Sequence, residues 1–227
     1  MSKRRAGTAG TGTGGSCLSR GFPRDFDEWN GEAAVQSGVR GGNGVQRVRK
    51  RRPYRESRVN IFILDTDIAT CARFHADQHV VKMILESAQM LCTVLHETGV
   101  QAPYRPTHRN HPCTLWAGRS LSNWLWLRRL ALALNREFRY RFQKEVDHAS
   151  ARIAAGLPRP AIEEAGLTQF AQALPEIYRV PGDAVKAYRA FYIAEKSRFA
   201  KWTRRPPPAW YVRGLEARRE ESVMHRE

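Results

Sequence analysis

The sequence contains no apolar run that approaches the roughly 18–20 residues needed to cross a bilayer, which excludes an integral membrane protein. Its first residues also lack the apolar stretch of a secretory signal, so we do not expect secretion. The cysteines, at positions 17, 71, 92 and 113, form no CxxC pair, and neither a zinc ribbon nor a disulfide framework is indicated. We therefore expect reduced thiols in a cytoplasmic protein.

Acidic residues are scarce relative to basic ones. The 227 residues include 38 Lys and Arg but only 22 Asp and Glu, which gives a formal net charge of +16 at pH 7. An anionic partner relieves the self-repulsion of such a surplus, and nucleic acid is the usual candidate. The hydrophobic fraction of 42% is enough for one core, so we expect one domain with tails.

Composition divides the chain near residue 58. Residues 1–58 hold 11 of the 17 glycines and show no apolar periodicity, so we predict a disordered Gly/Arg-rich extension there. The first segment with helix or strand character starts at Val59. Valine is encoded by GTG, which also serves as a start codon in bacteria and phages. An alternative is therefore that translation begins at residue 59. We expect the folded domain at 59–211 and a charged tail at 212–227.

Apolar residues after position 58 recur at the three- and four-residue spacing of helices, without the alternation typical of strands. The predicted fold class is all-α, a compact bundle of about three to five helices with long loops. The expected elements are a strand-like entry segment at 61–64, a short helix capped by Asp67, and helices over 76–98, 112–147 and 183–201.

One face of the 76–98 helix is polar throughout. Its residues, three or four positions apart, are His75, His79, Lys82, Glu86, Gln89, Thr93 and His96. A histidine, a lysine and a glutamate one turn apart can divide the roles of acid, base and nucleophile, so His79, Lys82 and Glu86 are the candidate catalytic residues. The alternative is a solvated face on which Lys82 and Glu86 form only an i,i+4 ion pair.

Histidine spacing also brings a metal site into consideration. His75 and His79 have the i,i+4 spacing of helical zinc ligands, and His108 and His111 could add two more. No HExxH motif is present, because residues 76–78 are Ala, Asp and Gln. We predict no metal and no other cofactor, and a metal-dependent hydrolase built on the four histidines stays as an alternative.

The segment YRPTHRNHPCTLW places polar and basic side chains just before a predicted helix, whose free N–H groups and dipole favour anions. The candidates for DNA contact in this segment are Arg105, His108, Arg109 and His111. The alternative is that these groups cap the helix. Aromatic residues interleaved with arginines can stack on unpaired bases, so Trp116 is a further candidate, and we expect one or two tryptophans to be exposed.

Several short segments resemble one family. HADQHVVKMILESAQML at 75–91 looks like the signature helix of the phage-type pyrimidine-dimer DNA glycosylases, the small UV endonucleases. In that family Ala-Asp-Gln-His is followed seven residues later by the catalytic glutamate, and here His79 is followed by Glu86. RPPPAWY at 205–211 is similar to the family's Arg-Pro-x-Trp-Tyr segment, and NIFILD and HRNHPCTLW resemble uncharacterised bacterial and phage relatives.

The resemblance implies a compact all-α fold and base excision from damaged duplex DNA. Family members attack C1′ with an amine and form a Schiff base, while the glutamate assists sugar opening and strand cleavage. The resemblance gives this role to Glu86, and it adds Arg205, Trp210 and Tyr211 as candidates for DNA contact.

The sequence departs from the family at two features. The family's amine belongs to an N-terminal threonine exposed by removal of Met. With a start at residue 59 the second residue is Asn60, before which Met is seldom removed, and with a start at residue 1 the amine lies far from the folded domain. Leu85 and Gln89 stand where the family has arginines flanking the glutamate. Lys82, one turn from Glu86, could supply the amine if burial and basic neighbours lower its pKa. Without an amine, Glu86 could activate water instead.

These observations favour a base-excision enzyme of the DNA-repair type, with or without AP-lyase activity, acting on double-stranded DNA in the nucleoid. This function predicts Glu86 in a cleft flanked by arginines, near His79 and the 105–111 loop. A non-catalytic DNA-binding helical protein predicts an exposed Glu86 paired only with Lys82, and a basic face without a pocket. The metal-dependent hydrolase predicts converging histidines. The oligomeric state is left open.

Overall fold

The computed structural model describes residues 59–224, so the expectations for residues 1–58 and for the last three residues lie outside the described range. This range contains seven α-helices, one short 3-10 helix and no β-strand, which confirms the all-α prediction but exceeds the predicted three to five helices. None of its helices combines the length and apolarity that spanning a membrane requires. The helices are α1 (Ile68–Phe74), α2 (Asp77–Glu97), α3 (Pro112–Arg119), α4 (Leu121–Phe142), α5 (Ala149–Gly156), the 3-10 helix (Glu176–Tyr178), α6 (Ala184–Glu195) and α7 (Ala209–Met224).

α2 is the central helix, and α3, α4 and α5 pack against it. Its bounds agree with the predicted helix, because Ala76 is its N-cap and Thr98 its C-cap. Side chains on its apolar face, such as Val80 and Leu91, are completely buried. Polar residues such as Glu86 are also buried, so α2 is enclosed on most of its circumference.

The helix predicted over 112–147 is two helices, because Ser120 interrupts it. Ser120 has extended dihedral angles (φ −152°, ψ 147°), and its hydroxyl accepts a hydrogen bond from the Ser122 N–H at 3.2 Å. The Asn123 side chain donates to the carbonyl of Trp116 at 2.7 Å. Such side-chain hydrogen bonds compete with those of a continuous helix, and apolar periodicity does not reveal them.

The C-terminal helices differ in length from the prediction. α6 ends at Glu195 rather than near residue 201, and α7 runs through the segment predicted to be a charged tail. Glu, Arg and Ala are strong helix formers, so a charged segment can still be helical. Near the start of α7, the buried Tyr211 ring lies 4.7 Å from that of Trp202, which anchors the helix.

Residues 59–64 are buried, and none of them belongs to a β-strand, so the strand-like prediction for residues 61–64 is wrong. Ile61, Ile63 and Leu64 are each at most 2% exposed. Phe62 adopts φ +51°, an unusual angle for a bulky residue, and its ring stacks on His79 with a centroid distance of 4.3 Å. The segment therefore lies against α2 through side-chain packing.

Gly99 ends α2 in the left-handed conformation, with φ +79°. A Cβ added there meets no atom within 4 Å, so Gly99→Ala carries only the backbone cost of that conformation. We expect the variant to lose about 1 kcal/mol of unfolding free energy, measured by urea denaturation. Gly156→Ala is the matched control, because Gly156 has equal space and no positive φ. A Gly99→Ala variant as stable as Gly156→Ala would contradict the prediction.

Candidate functional site

Two irregular segments cover the polar face of α2. Residues 59–64 lie along its first half, where the Asn60 main-chain N–H donates to Glu86 at 3.0 Å. The loop at 100–111 follows its second half, where Thr93 exchanges hydrogen bonds with the main chain of Thr107 and His96 contacts the Tyr104 carbonyl at 3.0 Å. The alternative of a solvated face is therefore wrong, because this face binds the backbone of both segments.

Glu86 is the buried acid of this face, and the first of these segments contacts it. Its side chain is 5% exposed, and Oε1 lies 3.1 Å from the Lys82 ammonium while Oε2 accepts the Asn60 N–H. Burial raises the pKa of Glu86 from 4.5 to about 7, and the Lys82 charge and the Asn60 hydrogen bond only partly offset this rise. A carboxyl with such a pKa can both accept and donate a proton near neutral pH.

Lys82 connects this buried acid to the surface. Its side chain is 44% exposed, one helical turn before Glu86 on α2, so the burial that the sequence analysis required of this amine is absent. The non-catalytic alternative predicted an exposed Glu86 paired only with Lys82, whereas Glu86 is buried and has a second partner. The predicted flanking arginines are absent among the described residues that contact Glu86.

Asn60 is a site residue that the sequence analysis missed. Its side-chain oxygen accepts the Ile61 N–H at 2.7 Å, and its side-chain nitrogen donates to the Ala173 carbonyl at 2.9 Å. These two hydrogen bonds hold the main-chain N–H towards Glu86. The only sequence signal was the NIFILD segment, because a main-chain contact between residues 26 positions apart leaves no side-chain pattern.

The start of α3 lies near the same carboxyl. Cys113 is completely buried; burial is the main reason that its thiol pKa rises to about 12, and the Glu86 charge adds to the rise. His111 caps α3, since its Nδ1 accepts the Cys113 N–H at 3.2 Å. Burial and then the charge of His108 lower the pKa of His111. The capping alternative is therefore confirmed for His111.

The other polar residues of the loop face solvent. Arg105 and His108 are exposed, and His108 adopts φ +52°. Arg109 is exposed as well and forms an ion pair with Glu97 of α2 at 3.2 Å. The structure thus places two exposed arginines beside the C-terminal half of the polar face of α2. Their contact with DNA stays a prediction.

His79 lies on the same face of α2, three residues before Lys82 and seven before Glu86. It is buried, and its Nδ1 lies 2.5 Å from the hydroxyl oxygen of Tyr192 on α6. Burial, followed by the charges of His75 and Lys82, lowers its pKa well below 6.5. His79 is therefore neutral at physiological pH.

Three of the aromatic and basic candidates make contacts within the protein. Trp116 is 2% exposed and packs its ring against Trp126 and Phe170, so it cannot stack on a DNA base as predicted. Tyr211 is buried, and Arg205 forms a two-point ion pair with Glu137.

Trp210 is half-buried, and its ring contacts Phe74, Tyr192 and Tyr211. The expectation that one or two tryptophans would be exposed is wrong for the tryptophans in the described range, since the others are buried. An exposed aromatic platform for DNA bases is therefore not formed by these rings.

The structure gives the metal-hydrolase alternative no ligand set. Among the described residues, no three or more His, Cys, Asp or Glu side chains are arranged to hold a metal ion. His75 is completely buried and contacts the Cys71 carbonyl at 2.8 Å, whereas His108 is exposed in the loop before α3. The four histidines therefore do not converge.

Two surface cavities are lined by residues of other regions. The larger, about 300 Å³, lies among residues 66, 167–170, 172, 182 and 184, and the smaller is formed by residues 207, 211, 212, 215, 216 and 219. Neither includes Glu86, Lys82 or His79. The predicted cleft at Glu86 is thus not one of these cavities, which agrees with the non-catalytic alternative on this point.

Comparisons with known proteins provide no independent assignment: no protein-family model, curated protein or solved structure matches the chain.

Proposed function

We propose that this chain excises damaged or modified bases from double-stranded DNA, with Lys82 as the attacking amine and Glu86 as the acid–base group. One observation carries the proposal: the buried Glu86 carboxyl is held between the Lys82 ammonium and the Asn60 N–H. The order of short motifs that resemble the pyrimidine-dimer glycosylases supports the same assignment, because their catalytic glutamate corresponds to Glu86.

The contact between Lys82 and Glu86 provides the proton transfers that amine attack needs. The Glu86 carboxylate accepts a proton from the Lys82 ammonium at 3.1 Å, which leaves a neutral amine. The amine then bonds to C1′ of the nucleotide, the glycosidic bond breaks, and the departing base takes the proton from Glu86. Glu86 next takes the excess proton from the new C1′–N group and passes it to O4′ as the sugar opens and the imine forms.

Lys82 is the described amine best placed for this reaction. The Asn60 nitrogen also contacts Glu86, but within the 227-residue chain it is an amide and not a nucleophile. Burial, followed by the charge of Arg198, lowers the pKa of Lys196 to about 8, yet Lys196 is 4% exposed and does not contact Glu86. Among the lysines of residues 59–224, only Lys82 is both exposed to solvent and adjacent to the acid.

The charge of the described part is consistent with a DNA partner. Residues 59–224 include 24 Lys and Arg against 16 Asp and Glu, so the surplus does not come from residues 1–58 alone. The exposed Arg105 and Arg109 lie in the loop that covers α2 and leads to the α3 N-terminus near Glu86. Contacts between such side chains and phosphates provide affinity without sequence preference.

Lys82→Ala tests the amine. On UV-irradiated duplex DNA with borohydride, we expect the full chain to form a trapped covalent complex and Lys82→Ala to form none. Strand nicking should fall by about 100-fold or more, because covalent catalysis is lost. Lys186→Ala is the matched control, since Lys186 is an exposed lysine of α6 and its removal changes the net charge equally.

The outcomes separate the alternatives. Trapping that persists in Lys82→Ala assigns the nucleophile to another amine. Base release without trapping by either protein indicates a monofunctional glycosylase in which Glu86 activates water. Salt-sensitive DNA binding with neither base release nor nicking, on irradiated or undamaged duplex, favours the non-catalytic DNA-binding protein.

A further inference from the structure

The position of the proton on His79 follows from its surroundings. The Phe62 ring stacks on the imidazole at a centroid distance of 4.3 Å, with 15° between the ring planes. Tyr192 and Phe199 contact it edge-on, at 5.2 and 5.6 Å. These three rings fix the orientation of the imidazole on the polar face of α2.

The Tyr192 hydroxyl connects His79 to the main chain. Its oxygen accepts the Ala76 N–H at 3.0 Å and lies 2.5 Å from Nδ1 of His79, and these are its only hydrogen-bond partners in the described structure. A buried hydroxyl that already accepts one hydrogen bond is satisfied when it donates its own proton. Nδ1 is the available acceptor, so the neutral imidazole carries its proton on Nε2.

The resulting Nε2–H group is a neutral hydrogen-bond donor that is not used by another described residue. Burial raises the pKa of Tyr192 far above its usual value and lowers that of His79, so neither group ionises near neutral pH. Nε2 has no hydrogen-bond partner among residues 59–224, and it is not one of the fully buried side-chain atoms that lack a partner there. A fixed, neutral donor therefore lies one helical turn from Lys82.

We propose that Tyr192 is a positioning residue that holds His79 in the Nε2–H tautomer, so that His79 donates a hydrogen bond to an oxygen of the extruded nucleotide. The inference rests on the proposed function, because Lys82 and Glu86 define where the nucleotide reacts. The acceptor is either a phosphodiester oxygen or a carbonyl oxygen of the base. His79 keeps its proton in this role, and it stabilises negative charge on the acceptor rather than acting as an acid or base.

Nitrogen-15 NMR of the histidine side chains in the full chain tests the tautomer, and His79→Asn identifies the His79 signals. We expect the Nε2–H pattern from about pH 6 to pH 8, a range in which an ordinary histidine titrates. In Tyr192→Phe the donor to Nδ1 is lost, so we expect a mixture of tautomers and about tenfold slower nicking. A wild-type proton on Nδ1, or an unchanged Tyr192→Phe spectrum, overturns the proposal.

Tyr188→Phe is the matched control. Tyr188 lies one turn earlier on α6 and is also completely buried, but its hydroxyl bonds to the main chain of Ala171 and Ala173 instead of His79. We expect this variant to keep the wild-type tautomer pattern. If both variants lose the Nε2–H pattern, the tautomer of His79 depends on general packing, and the specific role of Tyr192 is overturned.

Two DNA duplexes distinguish the acceptors. A shift of the Nε2–H signal on a duplex with an abasic site supports a phosphodiester oxygen, whereas a shift that requires a damaged base supports a base carbonyl. No shift with either duplex overturns the contact with DNA. A shift on DNA in a protein that neither nicks DNA nor releases base supports the His79 contact while refuting the proposed function.

Discussion

We expect Glu86→Gln to reduce strand nicking at damaged bases by about 100- to 10,000-fold, the range for removal of a general acid–base group. Glutamine has nearly the same shape and can still accept the Asn60 N–H, but it cannot take a proton from Lys82. DNA affinity should stay within a few fold of wild type, because Glu86 is buried and bears no positive charge. Single-turnover nicking and a binding titration measure the two effects separately.

The pH dependence of nicking follows from the same carboxyl. Burial raises the pKa of Glu86 to about 7, and only the carboxylate accepts the Lys82 proton. Wild-type nicking should therefore increase as the pH rises through about 7. Residual nicking by Glu86→Gln should lack this increase.

The same substitution should stabilise the fold. The folded-state pKa of Glu86 is raised from 4.5 to about 7, so between these values the folded state holds a proton that the unfolded state releases. Unfolding free energy consequently falls as pH rises from 4.5 to 7, by about 3 kcal/mol from this group. Glu86→Gln lacks this loss, and we expect it to be about 1–3 kcal/mol more stable than wild type above pH 7.

Glu97→Gln is the control for both effects. Glu97 is also on α2 and pairs with an arginine, but it is 51% exposed. We expect wild-type nicking and a stability change below about 0.5 kcal/mol. A nicking rate for Glu86→Gln within tenfold of the wild-type rate would show that Glu86 is not the acid–base group. A Glu86→Gln variant that is less stable than wild type above pH 7 would contradict the conclusion that burial of the Glu86 charge destabilises the fold.

The sequence correctly predicted those helices whose ends are marked by nearby residues. The bounds of α2 and the Asp67 cap of α1 agree with prediction, because an apolar stripe, an N-cap residue and Gly99 mark them within the sequence. The break at Ser120 and the length of α7 did not follow from periodicity. Ser120 depends on local side-chain hydrogen bonds, and α7 depends on the packing of Tyr211 against Trp202.

The candidate site was predictable only where its residues share one helix. The spacing of His79, Lys82 and Glu86 placed them on one face of α2, and the structure brings Lys82 and Glu86 into contact. Periodicity did not show that this face is covered, since a solvated stripe and a stripe that binds irregular backbone have the same spacing. Asn60 and Tyr192 were missed because their contacts join positions 26 and 113 residues apart.

Arg141 makes the most extensive buried polar network in the described structure, and its loss should have a large effect on stability. Its guanidinium donates to Glu137 (3.0 Å), to Asp77 (3.1 Å) and to the carbonyls of Arg73 and His75 (both 2.7 Å), with no exposed side-chain area. These contacts join the end of α1 and the start of α2 to α4. We expect Arg141→Met to reduce the unfolding free energy by about 3–5 kcal/mol, because it leaves buried acceptors without their donor.

Urea unfolding of Arg141→Met and Arg139→Met tests this difference. Arg139 is also on α4, but it is 49% exposed and lies 3.4 Å from Asp147, so its removal should change stability by less than about 1 kcal/mol. Equal losses in the two variants would show that the buried network contributes no more than a surface ion pair. A large loss specific to Arg141 would instead show that the first turn of α2, two residues before His79, is held in place from α4.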